Sequence, residues 1–307
     1  VADDAHDTSH IVQSLVVNLV IAAGKGVCAA LTGSGALLAE TIHSFADCGN
    51  QLLLLVGVKR SQRPPDDAHP LGYGRALYFW SFLVAMLLFS GGGVFSVYEG
   101  LHKLHEAHVE EPGPTQLWLG IGMLAFALVL ESYATVSNVR ELNKRRGKRG
   151  FVEYLRVTKD SDLVVVFGEN SAAVVGLAFA LAGVGMAHVT HDPAWDAYAT
   201  VAIGCVLIGV ALFLAYEIMS LLVGEAADPE IADAVRAACA ETEGLDRVLR
   251  MITVQQGPGE VMLACKVSVK PGLSAAALIE ALNAFERRIR ERRPEVRWQF
   301  VEPDDEA

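Results

Sequence analysis

The chain has 307 residues, 52% of them hydrophobic and only 20% charged. Soluble domains average about 45–50% apolar and about 25% charged residues, so the balance points to a membrane protein. A formal net charge of -11 argues against a nucleic-acid partner, which needs basic surface; it suits cation handling and a solvated acidic surface equally well.

The first ten residues, VADDAHDTSH, are acidic and lack the basic region and small-residue cleavage site of a signal peptide. They read as a disordered cytoplasmic tail, with metal collection by Asp3, Asp4, His6, Asp7 and His10 as the alternative. Six apolar segments then follow, at roughly 11–31, 36–58, 77–101, 115–138, 163–185 and 194–217. Each is close to the ~20 residues that a spanning helix needs. Lys59, Arg60, Arg63 and Arg75 follow the second segment, and eight basic residues from Arg140 to Lys159 follow the fourth. The alternate connections carry little positive charge beyond Lys103. Both basic loops, and with them both termini, are therefore expected in the cytoplasm, of a protein in the cell (inner) membrane.

Polar residues inside these spans are costly and mark function or packing. The second span contains AETIHSFADCGNQ, in which His43 and Asp47 are one helical turn apart and share a face. The first span carries Asn18 and Lys25; Lys25 is expected to pair with Glu40 of the second. Glu131 in the fourth span either bridges helices or lines a water path, and SGGG at 90–93 permits close helix approach or a kink. The fifth span holds Glu169 and Asn170 side by side in VVVFGENSAAVVG. If it faces the second, His43, Asp47, Glu169 and Asn170 supply one imidazole nitrogen and up to three oxygens, enough for a four-coordinate divalent metal. Two carboxylates with a neutral imidazole carry a charge that one divalent cation cancels, and protons can take its place when it leaves. Asn170 is the weaker donor of the four.

Between the second and third spans, RPPDDAHPLGYGR offers Asp66, Asp67 and His69 for a cation, and equally a turn with a helix cap. His102, His105 and His108 after the third span, and His188 and His191 after the fifth, read as solvated interfacial histidines. The five cysteines have no CxxC spacing and form neither a zinc-finger pattern nor a disulfide framework. From about Ala226 the chain turns soluble. ADPE starts a helix capped by Asp228; alternating segments at 247–255 and 261–269 form a hairpin around QGPGE; a helix runs from Ser274 to about Arg292; and 296–301 is a last short strand. The predicted fold is a six-helix all-α transmembrane domain (11–225) after the tail (1–10). A small cytoplasmic α+β domain (226–307, αββαβ, ferredoxin-like) follows, small enough to favour pairing with a second copy.

AETIHSFADCGNQ, RPPDDAHPLGYGR and the exit SLLVGEAADP resemble the cation diffusion facilitator family of divalent-metal transporters over nearly the whole chain. The resemblance implies a homodimer, held through the C-terminal domain, that exchanges metal, often zinc, for protons by alternating access. It assigns His43 and Asp47 to the transport site. On the fifth helix Asn170 falls where the family has an aspartate and Val166 where it has that residue's partner, so Glu169 is a displaced carboxylate. Asp66 and His69 match an accessory loop site in which Tyr73 replaces a third histidine. The family's histidines in the C-terminal domain fall on Leu249, Cys265 and Phe300, leaving Glu302, which implies pairing without bridging metals. The function expected is efflux of zinc, with manganese, iron or cobalt as alternatives. A metal sensor is a different class, and so is an intramembrane metalloenzyme, for which the HExxH motif is missing.

Overall fold

The computed structural model describes residues 9–32, 35–105, 113–147, 149–159 and 161–305. The helices in chain order are α1 (Ser9–Thr32), α2 (Gly35–Ser61), α3 (Ala76–Leu87), α4 (Phe95–His105), α5 (Pro114–Arg145), α6 (Phe151–Val157), α7 (Ser161–Thr190) and α8 (Ala194–Val223). A smaller set follows: α9 (Pro229–Ala240), β1 (Leu245–Gly257), β2 (Glu260–Val269), α10 (Ala275–Arg292) and β3 (Val296–Asp304). Among the described residues, four helical stretches are long and apolar enough to cross a membrane: Ala76–His105, Pro114–Arg145, Leu163–Thr190 and Ala194–Val223. α1 contributes a shorter apolar stretch, Leu15–Val27.

The chain divides into two compact units: one of residues 1–59 and 79–219, the other of residues 60–78 and 220–307. In the first, α5 and α7 make the most extensive helix–helix contact. The buried positions of α5 are Leu117, Leu124, Ala127, Glu131, Ala134, Asn138 and Leu142. Their spacing, seven residues and then steps of three or four, defines one seam of a helix. Ahead of its charged last turns, α5 also exposes apolar side chains such as Trp118, Phe126, Val129 and Tyr133, as a lipid-facing helix requires. Ile21 of α1 and Leu177 of α7 close on Leu124 and Ala127 to make a dry cluster.

The third apolar segment is not one uniform helix. Leu88–Val94, which contains SGGG, winds as a π-helix between α3 and α4. Its glycines bring it against α8. A methyl on Gly93 would lie 3.0 Å from the Ile208 amide nitrogen, and one on Gly204 would lie 2.8 Å from the Gly93 carbonyl oxygen. Backbones this close exclude any larger side chain. α6 lies in the basic connection, where no helix is predicted; Phe151 stacks edge-on against Phe167 of α7 and supplies the apolar anchor.

In the second unit the helix–strand order is the one the sequence predicts, with the strands arranged β1-β2-β3. β1 runs antiparallel to β2, and β2 parallel to β3. Asp228 caps α9 by accepting from the Glu230 amide at 2.9 Å, and Ser274 caps α10 by accepting from Ala277 at 3.2 Å. Val261, Leu263, Cys265 and Val267 alternate inward along β2 and meet Ile231, Val235, Phe285 and Ile289 of the two helices. β3 runs to Asp304 rather than ending near 301, because its parallel ladder with β2 continues to Ser268. Lys266 ties the strand's end by an ion pair to Asp304 at 2.7 Å.

Phe285 is fully buried at the centre of this core. Phe285→Ala should cost about 3–5 kcal/mol and speed hydrogen exchange of the β2 amides in the intact protein. Unchanged protection there would show that the sheet does not depend on this side chain.

Candidate metal centre

α2 and α7 present the polar side chains that stand out in their spans. On α2, Asp47 is half-buried, and Asn50 and Gln51 are buried. On α7, Glu169 and Asn170 are both buried, about 100° apart around the helix. Glu169 is 8% exposed, and among the described residues neither of its carboxylate oxygens has a hydrogen-bond partner of ordinary geometry. Asp47 of α2 and Glu131 of α5 reach it electrostatically, and the Asn50 side chain of α2 approaches it as a hydrogen-bonding group. Helices distant in sequence therefore bring carboxylates within electrostatic reach of one another. Like charges so placed need a counter-charge between them.

His43 precedes Asp47 by one turn of the same unbroken helix, which puts the two Cβ atoms on one side. The His43 side chain lies outside the described residues. Among those residues, no three His, Cys, Asp or Glu side chains close up as a metal-holding group. Lys25 of α1 is buried and donates to the Ser44 hydroxyl at 2.9 Å, so it ties α1 to the turn of α2 that carries His43. The Glu40 side chain, expected as its partner, lies outside the described residues, as do residues 1–8 of the tail, the His10 side chain and His108.

In the loop after α2, Asp66 is committed to local structure. One carboxylate oxygen accepts from the amides of Ala68 (3.1 Å) and His69 (2.7 Å), and the other accepts from the Tyr73 hydroxyl (2.7 Å). The His69 ring lies 4.2 Å from that of Tyr73, and its Nδ1 is 3.6 Å from Asp66. The loop thus closes as a turn on Asp66. Tyr73, which replaces a histidine in the family pattern, is the residue that completes it. Gly74 then meets the β1–β2 turn. A methyl on Gly74 would lie 2.6 Å from the Gln256 carbonyl oxygen, and one on Gly257 would lie 2.7 Å from the Gly74 Cα.

Elsewhere the polar groups are locally engaged. His102 stacks on Tyr98, His105 Nδ1 sits 2.7 Å from the Leu101 carbonyl oxygen, and His188 meets His191 edge-on. In the C-terminal unit, burial pushes the Cys265 thiol up to about 12, which keeps it neutral at physiological pH, and Glu302 pairs with Lys266 at 3.6 Å. The sequence reading passed over Gln51 and Asn138. Both lie one or two turns from an intramembrane carboxylate on the same helix face, and that spacing is the signal that reveals them.

The Tyr73 hydroxyl, helped by the His69 amide, holds the Asp66 carboxyl below the usual carboxylate range. A depressed value means that the loop's order is fully present above that range and is lost only as pH falls through the lowered midpoint. Tyr73→Phe should raise the Asp66 midpoint back toward the ordinary range in a carboxyl-carbon NMR titration; an unmoved midpoint would remove Tyr73 as the cause.

Residues 11–223 match the family model described as the cation efflux transmembrane domain. The chain is 32% identical over 202 residues to the mitochondrial proton-coupled zinc antiporter SLC30A9 of Xenopus laevis, covering 65% of this chain and 35% of that protein. It is 27% identical over 230 residues to metal tolerance protein C4 of Arabidopsis thaliana, covering 74% and 50%. It is also 23% identical over 244 residues to the manganese efflux system protein MneP of Bacillus subtilis (strain 168), covering 76% of each. The chain thus spans about a third of the length of the SLC30A9 proteins that it matches.

Proposed function

The chain belongs to the cation efflux family, also called the cation diffusion facilitators, and on that premise we propose that it exports a divalent transition-metal cation in exchange for protons by alternating access. Zinc is the proposed cargo. The observation that carries this reading is the buried carboxylate of Glu169 on α7, which lies within electrostatic reach of Asp47 on α2. A divalent cation supplies the positive charge that this pair calls for, and protons supply it once the cation has left. The proposed ligands are His43 and Asp47 from α2 with Glu169 and Asn170 from α7. In this reading residues 11–225 cross the cell (inner) membrane six times, with both termini in the cytoplasm, and residues 226–307 hold two copies together. Asp66 and His69 form at most an accessory loop site.

Zinc is favoured because SLC30A9 is named as a proton-coupled zinc antiporter and one imidazole with carboxylates suits zinc. Manganese is the second reading: the donor set is rich in oxygen, and MneP is named for manganese efflux. A transporter has no need of a water-activating base, which separates this reading from an intramembrane metalloenzyme.

The test is metal uptake into proteoliposomes under an imposed pH gradient, with zinc, manganese, cobalt and iron compared. Asp47→Ala should lower the rate by roughly tenfold or more, since even partners one step removed from a metal commonly cost about that much. Transport by Asp47→Ala at the wild-type rate would reject the site. Glu169→Gln should be more damaging than Asn170→Ala, and the reverse order would make Asn170 the principal donor on α7.

A further inference from the structure

The buried seam of α5 contains two polar side chains among its small and apolar ones. Glu131 is 7% exposed and Asn138 6%. They are seven residues apart, so they share a face and are separated by about 10 Å along the helix. Glu131 reaches Glu169 electrostatically. Asn138 lies two turns nearer the basic end of α5, where Lys144 and Arg145 stand. Among the described residues, neither its Oδ1 nor its Nδ2 has a hydrogen-bond partner.

An amide buried with both ends unpaired is costly against an apolar side chain of similar shape. The neighbouring seam positions Ala127, Ala134 and Leu142 avoid that cost. α2 repeats the arrangement: Gln51, fully buried, lies one turn beyond Asp47 toward the basic end of its helix, marked by Lys59 and Arg60. Each helix therefore sets a neutral amide between its carboxylate and its basic terminus. An amide offers a donor and an acceptor and no net charge. It can receive an ion's coordinated waters and let the ion pass, whereas another carboxylate would trap it. Passage requires sites strong enough to admit an ion and weak enough to release it.

We infer that Asn138, with Glu131 beyond it, lines the route between the cytoplasmic face and the α2–α7 centre and forms a stopping place for a divalent cation that keeps part of its water shell. The separation of about 10 Å prevents Asn138 and Glu131 from ligating one bare ion together, because metal–oxygen bonds to a transition metal are only about 2 Å long. Asn138 is thus a positioning residue for the transported ion on its way to the ligands. This inference rests on the transport reading proposed above.

The experiment compares wild type, Asn138→Leu, Asn138→Ser and Asp47→Ala in the full-length protein, using zinc as the probe. Initial uptake into proteoliposomes is measured across zinc concentrations at a fixed pH gradient, and equilibrium zinc binding in detergent is measured by calorimetry. Asn138→Leu should lower the uptake rate at subsaturating zinc by about tenfold, the lower end for a group acting on an ion's outer shell. It should leave equilibrium binding within about twofold of wild type, and Asn138→Ser, which keeps a hydroxyl at the position, should recover most of the rate. Uptake by Asn138→Leu at the wild-type rate overturns the inference. Loss of equilibrium binding comparable to that in Asp47→Ala also overturns it, by making Asn138 part of the binding centre or its scaffold. If the leucine variant fails to fold, Asn138→Ala takes its place: uptake slowed by about tenfold at wild-type affinity supports the route, and uptake at the wild-type rate overturns it. The transport reading stands or falls separately, on wild-type uptake under the same gradient.

Discussion

The carboxylate of Glu169 is the constraint to which the membrane part of this protein answers. It is buried, within electrostatic reach of two further carboxylates. Nothing about an apolar helix bundle requires such a residue, and a leucine or alanine there would pack at lower cost. In the proposed reading the helices hold a cation or protons in turn, and the charges that disfavour the dry bundle become its binding energy. Lys25 fits the same logic from the other side, as a buried ammonium that joins α1 to α2 through Ser44 beside the turn that bears His43.

Around that centre the packing is divided between tight and adaptable seams. α5 and α7 meet along a stripe of small and medium side chains broken by Glu131 and Asn138. The third span meets α8 through Gly93 and Gly204, where backbone touches backbone. A π-helical turn at that contact widens the helix locally and accommodates the run of glycines. Glycine contacts permit close approach and hold little side-chain bulk in register.

Outside the membrane, a short loop is more highly organised than its length suggests. Asp66 draws together two backbone amides and the Tyr73 hydroxyl, and Tyr73 in turn stacks on His69. The loop ends at Gly74, which lies directly against the β1–β2 turn at Gly257. Those two glycines are required by space rather than by backbone angle, since any side chain at either would meet main-chain atoms. The connection after α2 is thereby fastened to the small α+β core and is a covalent continuation of the helix that carries His43 and Asp47.

Periodicity and charge alone were enough to delimit the apolar segments, the change of composition near Ala226 and the helix–strand order of the last 80 or so residues, because hydrophobic burial and capping leave local marks. They also singled out Asp47 and Glu169, since a charge inside a span is conspicuous in one dimension. Local pattern did not reveal the π-helical turn in the third span, which depends on Gly93 meeting Gly204. Nor did it reveal α6, whose seven residues are anchored by Phe167 from another helix. Nor did it reveal that the Tyr73 hydroxyl, seven residues on, closes on Asp66. The sequence by itself determined which residues are too polar for their surroundings; only the tertiary structure decided which of them face one another, because that depends on the rotation and pairing of helices far apart in the chain.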